Sequence, residues 1–225
     1  MNKYILLLLA IVIGYFLFFN KPKLCHKLGG ILYINLKHRK DRKKQIENEI
    51  KKLGCPFKRI DAVKNKNGGL GCVRSHIKSI QWAKQNNLPN VLILEDDFIF
   101  VENNSNIRNK IFNALKLLKN NWDVIMLSGN ILKTENSIYD DLDKVIDVQT
   151  ASGYIINNHY YDTLLNNFKE AEKHLANGED YTKWALDQYW KILQPNGKWF
   201  IMTPTIGKQK ESYSDIENTV VNYQV

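Results

Sequence analysis

The stretch NVLILEDDFIF, Asn90 to Phe100, restricts the fold of this chain more than any other. Val91 to Leu94 are apolar without alternation, three acids follow, and FIF resumes directly after them. A strand apolar on both faces belongs inside a sheet covered on both sides. The surrounding pattern agrees. GGILYINL reads as a strand over Ile31 to Leu36, introduced by two glycines. Ile46, Ile50 and Leu53 recur at helical spacing, with Gly54 as a stop. FKRIDAV is a second short strand. KNKNGGLG reads as a loop, and a helix with Val73, Ile77, Ile80 and Ala83 on one face follows it. A further helix fits Ile107 to Leu118. DVIML, VIDV and SGYIIN read as strands, and HYYDTLLNNF as a helix capped by Asn157 or Asn158. TKWALDQYWKIL reads as one amphipathic helix, and KWFIMT closes the regular part. Strand and helix alternate, so the class is α/β with a mostly parallel sheet. Ligands of such sheets collect beyond the carboxyl ends of the strands.

Glu95, Asp96 and Asp97 stand at that end of the most buried predicted strand. Three adjacent carboxylates against apolar surface are costly without compensation. A hard divalent cation with oxygen ligands, Mn²⁺ or Mg²⁺, relieves the repulsion and commonly shares phosphate oxygens with a substrate. Asp96 and Asp97 are the expected metal-facing carboxylates, with Glu95 beside them on the donor side. A solvated turn of acids is the bland reading of the same motif.

Two other segments suit an anion. GGLGCVRSHIKS, Gly68 to Ser79, is a glycine-rich loop running into a helix, although it is neither a Walker loop nor a dinucleotide fingerprint. INLKHRKDR sets Asn35 at the end of the first strand with cationic side chains just beyond it. Arg39 and Arg42 either clamp an anion or lie on a solvated helix face.

The formal net charge of +9 favours acidic partners such as nucleotides. The lysines do not alternate with aromatics in a nucleic-acid-binding module, so nucleic acid is left off the list of partners. YILLLLAIVIGYFLFF, Tyr4 to Phe19, carries no charge and is flanked by Lys3 and Lys21. It is short for a membrane helix, which takes about 17–25 residues, and no small-residue cleavage site follows it. The expectation is a signal anchor over residues 1–20, a short stalk over 21–29, a catalytic domain over 30–217 and a tail over 218–225. The protein would then be single-pass, with its catalytic part lumenal or extracytoplasmic, or secreted if the N-terminus is cleaved. Three cysteines leave at least one thiol unpaired within the chain, and Cys25 with Cys55 is the candidate disulfide.

The segments YINLKHRKDR, GGLGCVRSHIKSIQWA, LILEDD, ASGYIIN, LDQYW and KQKESYSDIE, in this order, resemble glycosyltransferase family 25. The resemblance covers Ile31 to Glu217. It implies a GT-A-like nucleotide-sugar transferase fold, inversion at the sugar carbon, a UDP-sugar donor (often UDP-galactose, with glucose not distinguished) and Mn²⁺. The acceptor is a hydroxyl of a glycan or a hydroxylated protein. It assigns Gly71, Cys72, Ser75 and His76 to the donor side. Asp187 in LDQYW is the candidate base, with Asp180 and Asp215 as rivals. KQKESYSDI is expected to fold over the donor, bringing Gln209, Ser214 and Asp215. The competing reading is a relative that binds nucleotide sugar or glycan without turnover. Trp184, Tyr189 and Trp190 read either as core or as sugar-stacking rings.

Overall fold

The computed structural model describes residue 5, residues 23–214 and residues 219–221. Its centre is an eight-stranded sheet. The strands are β1 (Ile31–Asn35), β2 (Lys58–Asp61), β3 (Asn90–Glu95), β5 (Val124–Met126), β6 (Asn130–Tyr139), β7 (Leu142–Gln149), β8 (Gly153–Asn157) and β9 (Trp199–Met202), in the order β2-β1-β3-β8-β5-β9-β7-β6. A short strand β4 (Phe98–Phe100) leaves this sheet and pairs antiparallel with β10 (Gly207–Gln209). A further pair joins β11 (Ser212–Ser214) to β12 (Thr219–Val221).

The α/β expectation stands, but the sheet is mixed rather than mostly parallel. β1 runs parallel to β2 and β3, and β5 to β9; the other junctions are antiparallel. The cause is the β6–β7 hairpin. NILKTENSIY is too polar to read as a strand, and it forms the edge of the sheet with Ile131, Leu132 and Ile138 exposed. The chain returns from the hairpin so that β8 enters between β3 and β5 in the opposite sense.

Among the described residues, four helices of three turns or more flank the sheet: α1 (Lys40–Lys51), α2 (Gly68–Gln85), α3 (Asn104–Leu118) and α4 (Tyr161–Ala176). Two cores result, one on each face. Leu32, Ile34, Val91 and Ile93 join Val73, Ile77 and Ile80 of α2 and Leu164 and Phe168 of α4. Ile31, Tyr33, Leu92 and Leu94 join Ile46 and Ile50 of α1 and Ile107 and Ile111 of α3. The pleat alternates side chains between these two layers, which is why β1 and β3 are apolar without a period.

Three local readings change. Gly68 to Gly71 lie inside α2, not in a preceding loop. Asn67 caps that helix, its Oδ1 accepting the Leu70 N–H at 3.1 Å. This is a side-chain cap of an ordinary kind. The expected cap at Asn157 or Asn158 is not made: a 3₁₀ turn over Asn158–Tyr160 precedes α4, and Tyr160 stands at its N-cap without a side-chain capping bond. TKWALDQYWKIL is two single turns, α5 (Tyr181–Trp184) and α6 (Leu186–Tyr189), followed by a 3₁₀ turn. Ala185 between them has φ −55° and ψ 145°, which breaks the helix.

The single-pass membrane expectation is corrected: among the described residues, no helix is long and apolar enough to cross a membrane. The apolar run that prompted it lies, Ile5 apart, outside those residues. Residues 23–26 form a 3₁₀ turn, and Leu24 and Leu28 are buried against α3 and the sheet. The Cys25–Cys55 disulfide ties this turn to the loop after α1 across a separation of 30 residues. Cys72 is the free thiol.

Phe98 is fully buried, and two glycines flank its ring. A Cβ added to Gly153 would stand 2.5 Å from its Cε2, and one added to Gly207 would also strike it. Only residues without side chains fit there, so the strand after the acids is seated under both β8 and β10.

Candidate functional site

The parity of β3 distributes the acids. Glu95 has the parity of Val91 and Ile93 and faces α2; Asp96 has that of Leu92 and Leu94 and faces α1. Each meets a partner supplied by that helix.

On the α1 side, Arg42, Ile46 and Ile50 share the buried face at four-residue spacing. Arg42 Nη1 donates to Asp96 Oδ1 at 2.9 Å and to Asp97 Oδ2 at 3.1 Å. Asn35 Nδ2 donates to Asp96 Oδ2 at 2.7 Å and to the Arg39 carbonyl at 3.0 Å. Arg59 holds Asn35 in turn, its Nε donating to Asn35 Oδ1 at 3.0 Å. Both oxygens of Asp96 are thus engaged. Burial raises its carboxyl above the usual range, opposed by Arg42 and Asn35. Arg39 makes a two-pronged pair with Asp41, at 3.1 and 2.9 Å.

On the α2 side, Cys72 and His76 are one turn apart and both face Glu95. His76 Nε2 lies 3.1 Å from Glu95 Oε1, and Cys72 Sγ donates to the same oxygen at 3.6 Å. His76 Nδ1 meets the Tyr154 hydroxyl at 2.9 Å. Gln209 Nε2 reaches Glu95 Oε2 at 3.4 Å from β10. Burial works against the Glu95 carboxylate, but the hydrogen bond with His76 holds it below the usual range. The Cys72 thiol is pushed well up by burial and by the nearby carboxylates. Ser75 has a structural position: its Oγ donates to the Gly71 carbonyl at 2.6 Å and accepts the Val63 N–H at 2.8 Å. Gly71 is needed for close approach, since a Cβ there would lie 2.6 Å from the Val63 carbonyl.

Asp97 lies between the two sides. Its Oδ1 is buried and meets no hydrogen-bond partner among the described residues. Burial, then the charge of Glu95, pushes its carboxyl up to about 7. Two oxygens here fit a hard divalent ion: Asp97 Oδ1, and Glu95 Oε2, which Gln209 meets at 3.4 Å.

Asp187, at the start of α6, belongs to the same electrostatic cluster as Glu95, His76 and Cys72. Burial raises its carboxyl, and its Oδ2 accepts the Thr150 N–H at 3.0 Å. Thr150 has φ +77°, a conformation rarely adopted by a β-branched residue. The rival Asp180 is the cap of α5, accepting from Thr182 N at 2.9 Å and Thr182 Oγ1 at 2.8 Å. Ser214 ends β11, and Asp215 lies outside the described residues. Trp190 is fully buried, with its Nε1 donating to the Val148 carbonyl, and Trp184 stacks on His174.

Sequence reading alone missed Thr150, Tyr154 and Arg59. Their signal is spatial: each orients a site residue from another strand or from a loop.

Fold and site define an α/β protein with a buried acidic turn at the carboxyl end of β3. The model for "Glycosyltransferase family 25 (LPS biosynthesis protein)" matches residues 30–68 and 66–180, more than half the chain. The chain belongs to glycosyltransferase family 25 and is a glycosyltransferase. No curated protein sequence matches it. Among solved structures it is similar to A197 from STIV, at 9% identity over 85% of this chain and 93% of that one, TM-score 0.48. It is also similar to a glycosyltransferase involved in glycosylation of the major capsid of PBCV-1, at 12% identity over 77% and 92%, TM-score 0.41. The glycosyltransferase GlyE of Streptococcus pneumoniae TIGR4 matches at 12% identity over 76% and 44%, TM-score 0.39.

Proposed function

We propose that the chain transfers a hexose, galactose before glucose, from a UDP-sugar to a hydroxyl of a glycan or hydroxylated protein, with inversion and with Mn²⁺ or Mg²⁺. The domain over 30–217 carries the reaction in a GT-A-like arrangement. The observation that carries this reading is the buried Asp97 Oδ1, without a hydrogen-bond partner among the described residues, beside the Glu95 carboxylate.

Glu95 and Asp97 are the metal-facing pair. This departs from the expectation of Asp96 with Asp97, because Asn35 and Arg42 hold the Asp96 oxygens at 2.7 and 2.9 Å, whereas Glu95 Oε2 is met by Gln209 at the longer 3.4 Å. Asp96 orients the turn instead. When bound, the ion supplies Lewis-acid charge that favours departure of the diphosphate. The rest of the work belongs to the chain. Gln209 and His76 fix the Glu95 carboxylate. Arg42 holds the turn against repulsion. Gly71 and Ser75 shape the first turn of α2 on the donor side. Asp187 Oδ1 takes the proton of the acceptor hydroxyl as its oxygen bonds the anomeric carbon and the bond to UDP breaks. Burial raises Asp187, which suits a base, and the Thr150 N–H fixes its other oxygen.

The test is UDP release from a panel of UDP-sugars with Mn²⁺, with and without glycan and hydroxylated peptide acceptors. One sugar should be turned over, and Asp97→Asn should lose that turnover. No release from any UDP-sugar, with tight UDP binding retained, overturns the transfer reading and leaves binding alone.

A further inference from the structure

Cys72 has no role in the transfer chemistry above, yet it stands beside an imidazole and a carboxylate. Cys72 Sγ, His76 Nε2 and a Glu95 oxygen all lie within 4.8 Å of one another. A tetrahedral zinc centre with ordinary bond lengths separates sulfur from oxygen by about 3.5 Å and nitrogen from oxygen by about 3.3 Å. The observed separations from Glu95 Oε1 are 3.6 Å and 3.1 Å. Cys72 and His76 are successive positions on one helix face, so the rigid backbone of α2 sets their spacing.

We propose that Cys72, His76 and Glu95 form a site for a soft divalent cation, Zn²⁺, with a fourth position open to water or substrate. Thiolate and imidazole select zinc over the hard ions that carboxylates prefer. On binding, the Cys72 proton leaves to solvent. The His76 proton passes from Nε2 to Nδ1 by exchange with solvent, so the Nε2 lone pair faces the ion and Nδ1–H donates to the Tyr154 hydroxyl, 2.9 Å away. Tyr154 serves either tautomer because a hydroxyl both donates and accepts. Zn²⁺ here draws Glu95 away from Asp97. Inhibition of turnover by Zn²⁺ is therefore expected; that consequence alone rests on the proposed function.

The experiment uses the full chain without donor or acceptor. Co²⁺ as a spectroscopic stand-in should give a thiolate-to-cobalt charge-transfer band, displaced by Zn²⁺ and absent in Cys72→Ser. Calorimetric Zn²⁺ affinity should fall at least about tenfold in that variant, or ~1.4 kcal/mol. In the wild type, Zn²⁺ should slow alkylation of Cys72, the one cysteine outside the disulfide, while Mg²⁺ should not. This arm decides if Cys72→Ser misfolds. A missing charge-transfer band, equal Zn²⁺ affinity in folded Cys72→Ser, or unprotected alkylation overturns the proposal. None of these readouts needs turnover, so a failure of the transferase reading stays distinguishable.

Discussion

Arg42→Met tests how the acidic turn is held. The guanidinium lies 2.9 Å from Asp96 and 3.1 Å from Asp97, with its side chain 11% exposed. Methionine keeps most of the stem and removes the charge. Breaking a buried pair by deleting one partner costs about 3–5 kcal/mol, because the remaining charge stays uncompensated. With a urea dependence of about 2 kcal/mol per M, the unfolding midpoint should fall by roughly 1.5–2.5 M at pH 8. The loss should shrink at pH 5, and the sign follows from Asp97. Its carboxyl is raised from 3.8 to about 7, so the native state holds a proton that the unfolded state has released. That preference favours the native state below about pH 4, and it is lost progressively as pH rises toward 7. At pH 5 Asp97 is therefore largely neutral, and only the pair with Asp96 is broken. Circular dichroism through a urea series at both pH values measures the difference. Adding Asp96→Asn should restore part of the pH 8 loss, as a double-mutant cycle. Equal midpoint shifts at the two pH values, or a shift below about 0.5 M at pH 8, would refute Arg42 as the counter-charge.

Asp187→Asn should lower kcat about 10²–10⁴-fold while leaving the thermal midpoint almost unchanged, because the amide oxygen still accepts the Thr150 N–H. A near-normal kcat removes Asp187 as the base. Mn²⁺ affinity should rise about tenfold from pH 6 to pH 8 as the proton leaves Asp97, whose carboxyl lies at about 7, and the rise should vanish in Asp97→Asn; calorimetry at the two pH values reads both. Replacing Cys25 and Cys55 by serine should cost about 3.5 kcal/mol, from the loop entropy of their 30-residue separation, measured by denaturant unfolding.

The sequence carried the parts of this site that lie along one strand and missed those that meet across space. Glu95, Asp96 and Asp97 were visible because a doubly apolar strand ended in them. Their compensation was not. Arg42 reads in the sequence as an anion clamp or a solvated cation; helical spacing sets it beside Ile46 and Ile50 on the buried face, where the anions it meets are the chain's own carboxylates. The mixed sheet was hidden because β6 has the composition of a solvated edge and lacks the apolar alternation that marks a strand. The failed helix over TKWALDQYWKIL had a real helical period, but the extended backbone at Ala185 overrides it and leaves Asp187 in the first turn of a new segment. The glycines of GGLG read as loop because propensity penalises them in helices. Here the close approach of Gly71 to the Val63 carbonyl requires a residue without a side chain.

The seating of Phe98 bears on how the site can move. Its ring is enclosed by Gly153 from the central sheet and Gly207 from the C-terminal segment, while the neighbouring Asp97 carbonyl accepts the Lys210 N–H. The aromatic side chain acts as a pin between β8 and β10. A ligand that pulls Asp97 outward must drag this pin, and β10 with it. Gln209 would travel too, and loosen its grip on Glu95. Engagement of the carboxylates and a shift of the C-terminal strand are therefore expected to occur together.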